Sequence, residues 1–248
     1  MLIKLLHCEE IKLKRTWIFV MSILIPFAIN FLLTIDLHYR YTGYLLVHQE
    51  RMNLSCWQLI FKEQRVLYFP ALIPFFATLI LIHVFSTETK NNGWSMLLTQ
   101  PIKKSKFIIA KYIVSCKYIT ILIFFNIISI TISGVITGVK DPLDIDLFIR
   151  CFLILWSSAL ATSAIQMIVL NIFSLKWISL FLAFLLGSIS QDTYLKGIIG
   201  KFNPYSFADY SFRANWNQTV FILIISCVFI IFGLLVSTLI FNRKNIYR

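Results

Sequence analysis

The six longest stretches of this chain without an Asp, Glu, Lys or Arg are residues 16–35, 66–87, 118–139, 151–175, 177–191 and 214–242. They run to 20, 22, 22, 25, 15 and 29 residues. A helix needs about 20 apolar residues to cross a hydrocarbon core of roughly 30 Å, so all but the fifth suffice alone. Lys176 alone parts the fifth stretch from the fourth. The turn between them is therefore tight, and Lys176 is expected to snorkel to the interface. Composition points the same way: only 14% of residues are charged and 58% are hydrophobic, against roughly 25% charged in soluble domains. A soluble fold of this size cannot hide so much apolar surface, and the 16% aromatic content excludes disorder. The expected fold class is an all-α integral membrane protein. It forms one transmembrane domain over residues 1–248, with six spans near 16–35, 66–87, 113–139, 149–173, 175–191 and 217–241.

Six spans place both termini on one side, and the basic residues choose which. The formal net charge is +12, which in a soluble protein would suggest nucleic acid. With an inner N-terminus, 14 of the 23 Lys and Arg fall in inner segments, whereas 8 of the 11 Asp and Glu fall outside. Retention of basic residues on the cytoplasmic side, where anionic lipid attracts them, accounts for the excess. Both termini are therefore expected in the cytoplasm, and no nucleic-acid partner is needed. The first span reads as a retained anchor rather than a signal peptide. Its apolar run exceeds the roughly 7–15 residues of a signal core and no A-x-A-like site follows. Pro26 implies a kink within it.

The segments between spans are patterned too. Residues 1–15 suit an amphipathic helix lying in the inner interface; Leu2, Leu5, Leu6 and Leu13 share a face that Glu9 interrupts. Residues 36–65 interleave Tyr39, Tyr41, Tyr44, Trp57 and Phe61 with charges, which suits short helices at the headgroup level. Residues 192–213 are broken by Gly197, Gly200 and Pro204, predicting short helices outside the last span. Such a segment can dip into the membrane only if packed against protein.

The inner stretch ETKNNGWSMLLTQPIKKSKFIIAK, residues 88–111, is the most informative. Thr87 can cap a short helix there, with Glu88 in its first turn. Trp94, Leu97 and Leu98 stand at i, i+3 and i+4 on one apolar face, and Pro101 stops the helix. Lys103, Lys104, Lys106 and Lys111 then fall where inner-leaflet phosphate is expected. The apolar face must be covered by lipid or by another protein.

No chemical engine is visible in the chain. The one Gly-Lys pair, Gly200–Lys201, is followed by Phe202, so the G-K-[ST] ending of a phosphate-binding loop is missing. His7, His38, His48 and His83 are scattered without ligand spacing, and Cys8, Cys56, Cys116, Cys151 and Cys227 form no C-x-x-C. Neither a metal, a cofactor nor a disulfide framework is expected. The span interiors offer Asn30, Asn126, Gln166 and hydroxyls, which are commonly interhelical hydrogen bonds rather than an ion pathway. A motor in trans reconciles a polytopic chain lacking an engine with an inner amphipathic helix suited to docking.

The pattern E-x4-G-x7-P-x9-K, carried by Glu88, Gly93, Pro101 and Lys111 after span two, resembles the cytoplasmic coupling region of ABC-2 type permeases. The start EEIKLKRTWIF, followed by Pro26, resembles the lantibiotic-immunity branch of that family. The layout of the whole chain matches; the motifs are confined to residues 9–26 and 88–111. The resemblance implies a bacterial plasma-membrane permease that is not itself an enzyme. It would pair with a second permease, identical or related, and with two cytoplasmic ABC ATPase subunits that bind ATP and Mg. Glu88, Gly93, Trp94, Leu97, Leu98 and Pro101 would form the ATPase-coupling segment. The implied cargo is an amphipathic or antimicrobial peptide, expelled for self-immunity or as a cytolytic product such as a phenol-soluble modulin. Another hydrophobic antibiotic such as bacitracin is the alternative cargo, and a non-catalytic sensor or assembly protein the alternative class.

Overall fold

The computed structural model describes residues 2–14, 16–40, 45, 54–89, 104–139, 141–173, 175–191 and 198–243. Every regular element among them is helical. In chain order they are α1 (Leu2–Leu13), α2 (Ile18–Arg40), α3 (Cys56–Val66), α4 (Phe69–Thr89), α5 (Lys104–Ile136), α6 (Ile145–Ile172), α7 (Lys176–Gln191), α8 (Ile198–Phe202) and α9 (Trp216–Arg243), with a 3-10 turn at Phe207–Tyr210. Five of the described helices, α2, α4, α5, α6 and α9, are long and apolar enough to cross a membrane. The remaining apolar stretch forms α7, which at 16 residues reaches about 24 Å, short of the roughly 30 Å core.

Packing is inverted relative to a soluble protein. Along α9, Ile224, Val228, Ile231, Leu235 and Leu239 are each about 60% exposed, whereas Thr219, Ser226, Gly233 and Ser237 are buried. Lipid tails are as apolar as leucine, so aliphatic side chains gain nothing by turning inward. Small and hydroxylated residues instead let helices approach and bond. At Gly233 an added Cβ would stand 2.8 Å from the Ala164 carbonyl oxygen, so α9 and α6 pack backbone to backbone. Gly187 brings α7 closer still against the backbone of Ala71 in α4.

The third expected span lies within a longer helix: α5 runs 33 residues, about 50 Å, and carries Lys104, Lys106, Lys111 and Lys117 in its first half. Two sequence expectations change. Thr87 does not cap a new helix. It lies inside α4, its hydroxyl donating to the Val84 carbonyl at 2.9 Å, and Glu88 belongs to the same last turn. The 36–65 segment is not simply spread at a headgroup surface, because α3 buries Trp57, Leu59, Ile60, Phe61, Glu63 and Gln64. The turn between α6 and α7 is tight, as Lys176 suggested.

Residues 198–213 are packed against protein. Tyr205, Phe207, Ala208 and Phe212 are buried, and the Ser158 hydroxyl of α6 donates to the Pro204 carbonyl at 3.0 Å.

Candidate coupling site and its polar supports

The candidate site lies where α1, the C-terminal end of α4 and the N-terminal end of α5 meet. Lys111 of α5 is the hub. Its ammonium donates to Glu9 Oε2 at 2.7 Å, to the Val84 carbonyl at 3.0 Å and to Thr87 Oγ1 at 3.4 Å. It also sits over the Phe107 ring at 4.9 Å and the Phe85 ring at 5.8 Å. Lys111 is wholly buried and Glu9 is 1% exposed. An isolated buried ammonium would cost several kcal/mol. Here a carboxylate, a helix-end carbonyl and two aromatic faces replace water. Glu9 is shared, its Oε1 accepting from Lys12 at 2.8 Å. Nearly two helical turns along α5, Lys117 reaches Glu10 Oε1 at 2.6 Å. That hydrogen bond, more than any other contact, holds the Glu10 carboxyl below the ordinary range. The charges of Lys117, His7 and Lys14 assist, and partial desolvation opposes them.

Two expectations are corrected by this arrangement. Lys111 is not open to lipid phosphate, since the Glu9 carboxylate receives it inside the protein. Glu9 does not interrupt the buried face of α1; with Leu5 and Leu13 it forms that face, because its partner waits on α5. Lys104 and Lys106 lie in the first turn of α5 and are half-buried. Gly93, Trp94, Leu97, Leu98, Pro101 and Lys103 lie outside the described residues, as does the side chain of Glu88. The hub therefore joins the two helix ends that flank residues 90–103 to the N-terminal helix.

Further into the bundle, amides tie α2, α3 and α5. Asn30 Nδ2 donates to Asn126 Oδ1 at 3.0 Å, and Gln64 Nε2 donates to Asn30 Oδ1 and Asn126 Oδ1, both at 2.8 Å. Thr34 Oγ1 donates to Ser133 Oγ at 2.8 Å. In α6, Gln166 donates to the Tyr205 hydroxyl at 2.7 Å and accepts from Ser179 at 2.9 Å. Asn30, Asn126 and Gln166 thus serve as interhelical bonds. Their partners Gln64, Tyr205 and Ser179 were not singled out from sequence, because each sits outside a span or among many similar hydroxyls.

The end remote from α1 is also clamped. Ser55 caps α3, accepting from the Gln58 N–H at 3.2 Å while the Gln58 side chain accepts from the Ser55 N–H. Arg65 pairs with Asp209 at 3.1 Å, joining α3 to the 3-10 turn. Trp216 donates to Asp146 at 2.7 Å, joining α9 to α6. Glu63 in α3 has its carboxyl pushed up by burial; Arg40 and Lys62 oppose the shift and Asp36 adds to it. Between α5 and α6 runs an apolar cleft of about 500 Å³, with Phe124, Ile127, Phe148, Ile149 and Phe152 in its walls.

Comparison with known proteins completes the picture. Residues 5–190, which include most of α1, the hub and nearly all of the helices through α7, match a protein-family model described as an ABC-2 family transporter protein. No curated protein and no solved structure matches the chain. The match spans most of the chain and agrees with a helical, multi-pass membrane architecture. Such a protein is a membrane component of a transporter, lacks an ATPase site of its own and implies an ABC ATPase as partner. The chain belongs to the ABC-2 transporter family.

Proposed function

We propose that this chain is the permease subunit of an exporter that expels amphipathic or antimicrobial peptides, either for self-immunity or as cytolytic products. Two copies of a cytoplasmic ABC ATPase, holding ATP and Mg, drive it, and a second permease, identical or related, completes the pathway in a bacterial plasma membrane. Both termini face the cytoplasm. Glu88, Gly93, Trp94, Leu97, Leu98 and Pro101 form the segment that docks on the ATPase, and Lys103, Lys104 and Lys106 meet inner-leaflet phosphate beside it.

The observation that carries this reading is the Lys111 hub. Residues 90–103 are held at both ends by helices that one buried ammonium ties to α1. A force applied to that segment reaches α4, α5 and α1 together, because a buried ion pair resists separation far more than a solvated one. The aromatic-walled cleft between α5 and α6 supports an apolar cargo face. The decisive experiment is co-purification with a candidate ABC ATPase from the same cell, followed by ATP turnover with and without candidate peptides. Stimulation by amphipathic peptides is expected; stimulation by bacitracin alone would reassign the cargo, and transport without any ATPase would overturn the reading.

A further inference from the structure

The end of the bundle remote from α1 holds a cavity of about 320 Å³ between the 198–213 segment and the start of α9. Lys201, Asn217 and Gln218 stand on its rim with their side chains exposed. Its floor is Phe207, wholly buried, and Ile222, 5% exposed. Phe221 forms the open side at 42% exposure and meets the Phe202 ring at 5.9 Å.

The two halves of this cavity ask for two different chemistries. At the rim, Lys201 supplies a cation with no acidic partner among the described residues. The nearby acids are engaged elsewhere: Asp209 with Arg65, and Asp146 with Arg150 and Trp216. Asn217 and Gln218 belong to the first turn of a 28-residue helix, whose N-terminal end favours negative charge. The floor is apolar and continues past Phe221 onto Ile224 and Val228, each 60% exposed on the lipid-facing stripe of α9. An inorganic anion would use the rim and leave the floor unmet. A cationic amphipathic peptide would meet Lys201 with like charge.

We propose that this cavity binds one anionic phospholipid. Its phosphate meets Lys201 and the amides of Asn217 and Gln218, and its first acyl chain follows Phe221 and the α9 stripe into the bilayer. The lipid thereby staples the 198–213 segment to α9. The inference rests on the chain being a membrane protein and is independent of cargo and ATPase, so failure of the export reading leaves it standing.

The test uses the full chain in nanodiscs of dioleoylphosphatidylcholine containing a minor fraction of dioleoylphosphatidylglycerol, with native mass spectrometry of the released protein. One phosphatidylglycerol should be retained preferentially. Lys201→Glu should lower that retention roughly tenfold, as expected when a basic residue at the membrane surface is reversed, and should leave phosphatidylcholine retention unchanged. Asn217→Trp, which fills the rim from an exposed position, should lower retention without altering the thermal transition. Wild-type retention in both variants overturns the proposal. Displacement of the lipid by an equal concentration of glycerol 3-phosphate also overturns it, since the tail would then contribute nothing.

Discussion

The Nζ of Lys111 and the Oε2 of Glu9 lie 2.7 Å apart, with the lysine side chain wholly shielded from solvent, although 102 residues separate them in the chain. Glu9 also holds Lys12, and Lys111 also donates to the Val84 carbonyl and the Thr87 hydroxyl. Removing either partner leaves a charge buried without its principal counter-charge.

Glu9→Leu is expected to destabilise the protein by about 3–5 kcal/mol, the usual cost of an uncompensated buried charge. Lys111→Met should also destabilise, and Glu9→Leu with Lys111→Met should recover most of the loss. Thermal denaturation of the purified protein in a double-mutant cycle measures the coupling. Additive losses would remove the pair from its place as the tie between α1 and the bundle.

Gly233→Val should cost about 1–3 kcal/mol, as overpacking does in a dense interior, because the new side chain meets the Ala164 backbone at 2.8 Å. Gly138→Asn is the matched control. Its φ of +81° strains any side chain, asparagine least, but a Cβ there meets nothing within 4 Å, so the cost should stay below that of Gly233→Val. Chemical denaturation should separate the two substitutions clearly.

Glu63 and Glu10 predict opposite acid responses. Glu63 has its folded pKa raised, foremost by burial. Its contribution is fully present below the ordinary Glu value and is lost as pH rises through the raised one. Glu10 has its folded pKa lowered, foremost by Lys117. Its contribution is present above the ordinary value and is lost as pH falls through the lowered one. Melting temperatures between about pH 4 and pH 8 should show Glu63→Gln gaining on wild type toward neutral pH and Glu10→Gln losing ground there.

Trp94→Ala combined with Leu97→Ala should abolish transport while leaving membrane insertion intact. Each large apolar side chain contributes about 1.5–3 kcal/mol when buried at an interface. Pull-down of the ATPase together with a transport assay checks this. Full association and full transport in the double variant would dismiss residues 90–103 as the docking segment.

Single cysteines introduced at Lys104 and Lys201 in a cysteine-free background test orientation in intact cells. An impermeant thiol reagent should reach position 201 and not 104. The reverse pattern would invert the assigned topology.

Several of these features were readable without coordinates. The uncharged runs placed α2, α4, α6 and α9 to within six residues at each end, and the break at Lys176 fell at the start of α7. Asn30, Asn126 and Gln166 were correctly read as interhelical bonds. The candidate site was legible only in part. Lys111 was singled out, but for the headgroup region. Glu9 was read as an interruption, because a charge on an apolar face looks like an error until its partner is known.

From sequence alone the chain is a multi-pass, helical membrane protein, since hydropathy adds up locally along each run and needs no knowledge of neighbours. Which side chains meet was settled by the tertiary structure. In lipid the abundant apolar residues carry almost no information about their partners. The sparse polar groups — Glu9 with Lys111, Gln64 with Asn30 and Asn126, Arg65 with Asp209 — decide the packing, and each finds its counterpart far away in the chain.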